Sequence, residues 1–370
     1  MNNQQRKTLN WLGSMAQGQG YSGTSEKMAI ALDKYFDVRC MSFTEYNRNN
    51  LTPEGKTLRS KPFQLADTGI VYGFPNAFSS ILNKNKIGFT MFETDKLPRG
   101  GERNDWAGET GNPEDAMNSM DMIFTPSKHN KKLFKKEGVT VPIEIVHLGI
   151  DPKMFPKYER PKRSTFTFLM LATLTIRKNP GMVLGAFLDL FKDREDVKLL
   201  LKTQSGTLGH IQLPYKNIQI VDEHSTVEQL KWYYRSADAF VFPTRGEGFG
   251  LPPMEAMATG LPTIIADHTG MAEFANSEYN YPIPVGSLKK AIRFPKKWGN
   301  IGNWYEPDYE ALKRAMKDIV DNKEAAYQKG LRASDWVHKN FTFDQTAKKI
   351  VQLVQRLENS KIDNSKIDTK

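Results

Sequence analysis

At 370 residues the chain is long for one domain and comfortable for two. Its 39% hydrophobic and 25% charged content is an ordinary globular balance; the one cysteine, Cys40, excludes an internal disulfide, and no apolar run approaches the roughly 18 residues that a membrane-spanning helix needs. The net charge of +10 invites an anionic partner: a nucleotide-sugar, a phospholipid surface or a nucleic acid.

The N-terminal MNNQQRKTLN lacks the apolar stretch of a signal peptide. With one cysteine, the expected home is reducing, as in the cytoplasm. Asn10 to Gly23 follows a short strand and precedes an amphipathic helix over Thr24 to Tyr35. Its glycines Gly13, Gly18, Gly20 and Gly23 do not spell Gly-x-Gly-x-x-Gly. Phe36 to Met41 and Gly69 to Gly73 read as short parallel strands, and Gly88 to Glu93 as a stronger one. That strand runs into Glu93-Thr94-Asp95-Lys96-Leu97-Pro98. Charged groups at the carboxyl end of a strand fall where ligands sit in open sheets, so Glu93 and Asp95 are candidates to orient an acceptor or a donor sugar. Met120 to Pro126 reads as a strand and Ser127 as the N-cap of a helix. On it Lys128, Lys131, Lys132, Lys135 and Lys136 fall at i, i+3, i+4, i+7 and i+8, one basic face fit for anionic headgroups or a nucleic-acid backbone. Ile143 to His147 reads as another strand, and Pro152 to Arg163 as a linker.

Thr165 to Ala172 restarts the strand pattern. Arg177-Lys178-Asn179-Pro180 then opens a helix to Phe191; two cations at a strand-to-helix turn suit a pyrophosphate, held by side chains and helix N–H groups together. Val197 to Thr203 and Asn217 to Val221 read as strands, and Ser225 to Arg235 as a helix capped by Ser225. Next comes strand Ala237 to Pro243, a glycine-rich turn, a short helix stopped by Gly260, and strand TIIAD. Gly248 and Gly250 let the backbone turn sharply beside a ligand. Pro253 suits the first turn of the helix, and free N–H groups near Phe249 to Met254 would favour a phosphate. Glu247 on the loop and Glu255 in the helix can each accept two hydroxyl hydrogen bonds, as the vicinal diols of sugars and riboses require.

Glu247-Gly-Phe-Gly-Leu-Pro-x-x-Glu255-Ala-Met-Ala-x-Gly260-x-Pro262 resembles the Glu-x7-Glu signature of family 4 retaining glycosyltransferases, whose fold is GT-B. The resemblance covers most of the chain and implies an α/β protein of two facing Rossmann-like domains with a C-terminal helix crossing back. The expected divisions are an acceptor-side domain over 1–158, a nucleotide-sugar-binding domain over 159–342, a crossover helix over 343–358 and a disordered polar tail over 359–370. The loop with Gly13 resembles the family's first loop, which borders the cleft and helps hold the donor. FETDKLP, with Trp106 a little later, resembles a version of the family with an acidic turn; many members have a histidine nearby, and this segment has none. Lys178 stands where the family's diphosphate-binding lysine stands. Ala172-Thr173-Leu174 replaces the family's Gly-Arg-Leu, so Arg177 is the substitute cation. The stretch from Val221 to His224 corresponds to the surroundings of the nucleotide base. Asp267 to Glu273 resembles a Gly-Gly-x-x-Glu turn with only the second glycine kept, which makes Glu273 structural.

The resemblance implies transfer of a sugar from a nucleoside diphosphate sugar to an acceptor hydroxyl, with retention and without metal or cofactor. Glu247, Lys178 and Arg177 would be catalytic. Gly248, Phe249, Gly250, Leu251 and Glu255 would hold the donor. No Asp-x-Asp stands beside a donor strand, and no His/Cys metal cluster or Ser-His-Asp set can be assembled. The acceptor stays open between a cell-surface glycan or lipid-linked acceptor, with the lysine face on the inner side of a membrane, and DNA carrying a hydroxylated base. A non-catalytic sugar-nucleotide binder on the same fold is a third reading.

Overall fold

The computed structural model describes residues 6–16, 20–42, 51–98, 112–204, 213–292 and 300–367. Gly18, Trp106 and the last three residues lie outside that set.

Two six-stranded parallel sheets form the molecule, with the GT-B architecture. The first contains β1 (Thr8–Leu12), β2 (Asp37–Met41), β3 (Thr68–Tyr72), β4 (Asn85–Phe89), β5 (Met122–Thr125) and β6 (Ile143–Ile145), in spatial order β2-β1-β3-β4-β5-β6. The second contains β7 (Phe166–Leu171), β8 (Val197–Thr203), β9 (Ile218–Asp222), β10 (Ala239–Phe242), β11 (Thr263–Ala266) and β12 (Tyr281–Ile283), in order β12-β11-β10-β7-β8-β9. Central strands are apolar runs buried on both faces, as AFVF and TIIA are, because helices cover a parallel sheet on both sides. An antiparallel hairpin, β13 (Val285–Lys290) with β14 (Asn303–Pro307), projects from the second half.

The helices are α1 (Gly20–Leu32), α2 (Pro53–Ser60), α3 (Pro113–Asn118), α4 (Lys128–Lys136), α5 (Pro180–Phe191), α6 (Val227–Ser236), α7 (Leu251–Ala258), α8 (Tyr309–Asp321), α9 (Lys323–Asn340) and α10 (Phe343–Ile367). None among the described residues is long and apolar enough to cross a membrane. α10 returns to the first half: Asp344 meets Lys34 at 3.1 Å, and Glu358 accepts from Thr68 at 2.7 Å and Lys7 at 3.0 Å.

Three expectations are corrected, and one is refined. The strand expected over Gly88 to Glu93 is Asn85–Phe89; Met91 and Phe92 are buried in the turn after it, so the apolar run continues past the last ladder bond. α6 is capped by Thr226 rather than Ser225, through a capping box with Gln229. α10 does not end near Leu357 in a disordered tail but continues to Ile367, where Lys361 bonds Asp121 at 2.7 Å and the Lys84 carbonyl at 3.2 Å. The lysine face of α4 is four-fifths exposed: Lys128, Lys132, Lys135 and Lys136 are open, Lys131 is half-buried, and Leu133 and Phe134 face the core.

Candidate active site

Within each sheet the first strand is flanked on both sides by later ones, β1 by β2 and β3, β7 by β10 and β8. Chains leaving such a pair diverge and open a crevice at the carboxyl ends. The crevices face each other across a cleft of about 930 Å³. Gly20, Tyr21, Tyr72 and Glu93 line its first-sheet side, and Lys178, Lys202 and residues 247–252 line the second.

Glu247 is the hub of the second side. It is 7% exposed, and its Oε1 accepts from Lys178 Nζ at 2.7 Å, Arg177 Nη1 at 2.9 Å and Thr244 Oγ1 at 2.9 Å. Burial would raise its pKa, but the two cations more than offset this and hold the carboxyl at about 2. Burial lowers the Lys178 pKa against the pull of Glu247. Lys178 Nζ also stands 4.9 Å from the Phe242 ring centroid.

The loop is held by its backbone. The Glu247 N–H donates to Thr269 Oγ1 at 3.1 Å, and the Gly270 N–H to the Glu247 carbonyl at 2.9 Å. A Cβ at Gly270 would stand 2.3 Å from the Gly248 carbonyl oxygen, which explains the one glycine kept in this turn. Thr269, where the resembled turn has its other glycine, sits at φ 50°. A Cβ at Gly246 would stand 2.0 Å from the Glu93 carbonyl oxygen, so the two halves meet closely here.

Glu255, 5% exposed, lies farther along the cleft and accepts from Tyr234 OH at 2.8 Å. Burial, opposed by that bond, pushes its carboxyl up to about 8. The two glutamates of one motif are therefore driven in opposite directions: one is paired with cations and the other sits in a low-dielectric pocket.

The structure brings Lys178, Glu247, Gly248, Phe249, Gly250, Leu251, Glu255 and Glu93 to one cleft. The Phe249 ring itself is buried against His147 and Phe274, with centroids 5.9 and 5.7 Å away. Three candidates sit elsewhere. Gly13 is not among the lining residues; its N–H donates to the Met41 carbonyl at 3.0 Å. Arg177 stands behind Glu247, bonded to the Gly246 carbonyl at 2.5 Å and 3.4 Å from Glu93, so it braces the carboxylates rather than facing the cleft. Asp95 is spent on the hairpin, accepting from the Asn303 N–H at 2.6 Å and Nδ2 at 2.9 Å.

Neither helix N-terminus offers the donors expected. Gly250 caps α7 at φ 112°, but Pro252 and Pro253 carry no N–H, and the Met254 N–H bonds the Gly250 carbonyl at 3.4 Å. Leu251 is then the first-turn donor left. The start of α5, Asn179 to Met182, lines a separate groove with Arg245 and Glu306. Glu273 joins the halves, accepting from the Lys128 N–H at 2.6 Å and meeting His147 Nε2 at 2.9 Å. Sequence reasoning passed over Tyr21, Tyr72, Lys202 and Tyr234: an aromatic or lysine at a strand or helix end carries no signal until the fold places it. Among the described residues no three His, Cys, Asp or Glu side chains gather as metal ligands would.

Residues 152–332 match the family described as Glycosyl transferases group 1. The chain is 27% identical over 169 residues to alpha-monoglucosyldiacylglycerol synthase of Streptococcus pneumoniae, a match covering 40% of this chain and 38% of that one. It thus spans well under two thirds of that curated relative. Among solved structures it resembles sucrose-phosphate synthase of Thermosynechococcus elongatus, with TM-score 0.68 and 14% identity over 96% of this chain and 100% of the other. HepE of Anabaena, solved with UDP and glucose, gives TM-score 0.64 and 10% identity over 95% and 100%. At such identities the likeness is one of fold.

Proposed function

We propose, from the match of residues 152–332 to the glycosyl transferases of group 1, that the chain moves a sugar, with retention, from a nucleoside diphosphate sugar to an acceptor hydroxyl without a metal. The observation that carries this reading is the Glu247–Lys178 pair, 2.7 Å apart, at the wall of the interdomain cleft.

In this reading the diphosphate takes the Lys178 ammonium. The bond between the anomeric carbon and the diphosphate oxygen breaks as the acceptor oxygen bonds that carbon on the same face; the charge arriving on the departing oxygen meets a cation already in place, and the acceptor's hydroxyl proton leaves with the diphosphate. The Leu251 N–H and the end of α7 add to that stabilisation. Bonds to Glu247 fall on Oε1, which leaves Oε2 to a sugar hydroxyl. Arg177 keeps the Glu247 carboxylate ionised and aimed. Glu255 receives the ribose. Glu93, on the opposite wall, is placed to orient the acceptor.

For the acceptor, we favour a lipid-linked or cell-surface glycan, reached by a protein working in the cytoplasm and docking on the inner face of the membrane. The open lysines of α4 support it, and so does the lipid product in the name of the Streptococcus pneumoniae relative. The test is mass spectrometry of lipid, glycan and hydroxylated-DNA acceptors incubated with a panel of nucleotide-sugars in the presence of EDTA. Mass added to a lipid or glycan is expected. Modification of DNA alone would overturn the acceptor. Nucleotide binding with no transfer to any acceptor would mark a binder, and loss of transfer in EDTA would overturn the metal-free chemistry.

A further inference from the structure

The end of the cleft away from Glu247 is formed by the carboxyl ends of β8 and β9 and the start of α6. There stands Lys202, 3% exposed, lining the cleft yet pairing with no carboxylate in its hydrogen bonds. Its Nζ donates to the Thr203 carbonyl at 2.6 Å and to the Glu223 carbonyl. An ammonium has three N–H donors, so one remains. Burial lowers the Lys202 pKa, against the fields of Glu223 and Asp222.

A purely structural role explains this poorly. β8 and β9 are already in register from Leu199↔Ile218 to Thr203↔Asp222, and the Glu223 N–H reaches the Thr203 carbonyl at 3.2 Å. The strand ends need no cation to join them. The Tyr233 ring, 5.5 Å from the ammonium, and the fields of Glu223 and Asp222 offset part of the cost of burying it, and an apolar side chain would fill the space without that cost.

We propose that Lys202 selects the nucleobase of the donor: the remaining N–H meets O4 of uracil or O6 of guanine, where cytosine and adenine carry their amino group, so the site takes the keto base and disfavours its amino counterpart. An amino group there would face a donor with a donor. The Thr203 carbonyl beside it already accepts from both the ammonium and the Glu223 N–H. This inference rests on the reading of the cleft as the nucleotide-sugar site.

The experiment is calorimetric titration of the full chain with UDP, CDP, GDP and ADP, which pair keto against amino on one ring size at a time. The expected result is that UDP exceeds CDP, or GDP exceeds ADP, by about tenfold or more, the worth of a hydrogen bond to a charged group. Which pair shows it tells uracil from guanine. Lys202→Met is expected to erase that ratio, and Lys202→Arg, which keeps a donor, to preserve its direction; circular dichroism reports whether each variant folds. Equal affinities within both pairs for the unmodified protein would overturn the proposal without recourse to any variant. So would a ratio that survives in folded Lys202→Met. Absence of binding by all four would remove the donor reading itself and this inference with it, an outcome distinct from binding without preference.

Discussion

The two sheets present the same topological device and fill it differently. At the carboxyl ends of β7 and β10 the crevice holds charge: Lys178 and Glu247, braced by Arg177 and Thr244 within 2.9 Å. At the ends of β1 and β3 rings predominate beside the single carboxylate of Glu93: Tyr21 lies 5.0 Å from Tyr72, backed by the buried Trp11 at 5.8 Å. The fold repeats, but the chemistry does not. On the proposed reading, a pre-placed charge constellation serves the half where a charged leaving group departs. An aromatic face suits the half that meets a partner by shape and apolar contact.

The sharpest way to break this comparison is to remove charge from the second half alone. Glu247→Gln keeps shape and loses the carboxylate, and Lys178→Ala loses the ammonium. Each is expected to lower kcat/KM for sugar transfer about a hundredfold or more, roughly 3 kcal/mol, with the fold intact by circular dichroism. Tyr21→Phe on the opposite wall is expected to cost far less. Equal losses on both walls would mean that the asymmetry is one of composition and not of function.

A second contrast lies in the glycines. Gly270→Ala drives a Cβ to 2.3 Å from a backbone oxygen that cannot swing away. The expected cost is about 1–3 kcal/mol in denaturant unfolding. Gly13→Ala meets Ser25 Oγ at 2.9 Å and the Tyr72 carbonyl at 3.0 Å, so it should cost less, since the nearest atom is a hydroxyl that can turn.

The glutamates of the motif give a third test, in pH. Glu255 in the folded chain titrates near about 8 against an ordinary 4.5. Its contribution to stability is full below the lower value and fades as pH rises through the upper. Glu247 is held near about 2 against 4.5, so its contribution is present above 4.5 and is lost as pH falls toward 2. Stability should therefore decline on both flanks. Glu255→Gln should flatten the alkaline side and Glu247→Gln the acid side, read as unfolding midpoints across the range.

How much of this was legible follows the same divide. The central strands of the second half, AFVF and TIIA, were readable because each is an apolar run between turn residues, and Val197–Thr203 begins and ends where the expected strand does. Glu247, Glu255 and the loop from Gly248 were readable because they share one short stretch, and Lys178, 69 residues from Glu247, because it stands beside a second cation at a strand-to-helix turn. The site's other members come from distant segments. Tyr234 reaches Glu255 from α6, and no spacing announces it. α9 went unread because its apolar positions are sparse; Gly330 lets it press on the chain at Gly260, where a Cβ would stand 2.3 Å from the carbonyl. The end of α10 looked like a tail because its anchors are Lys361 to Asp121 and Lys84, polar contacts that leave no periodic mark.

The smallest expected effect concerns the outer surface of the first half. If the ring-lined crevice receives an acceptor carried by a membrane, that half must approach the bilayer, and the open lysines of α4 are the charge it would bring. Each such lysine near an anionic surface is worth about 1 kcal/mol. Lys135→Ala is therefore expected to weaken binding to phosphatidylserine-containing vesicles about fivefold at low salt, and the difference should shrink as salt rises. The vesicles can be pelleted and the unbound protein measured. Because Lys135 is exposed and is not among the residues lining the cleft, transfer to a water-soluble acceptor should stay unchanged. Loss of transfer to vesicle-borne acceptor alone would tie this face to delivery of the substrate. Unaltered vesicle binding would leave the lysines a solvated surface and move the membrane contact, and with it the lipid acceptor, off this helix.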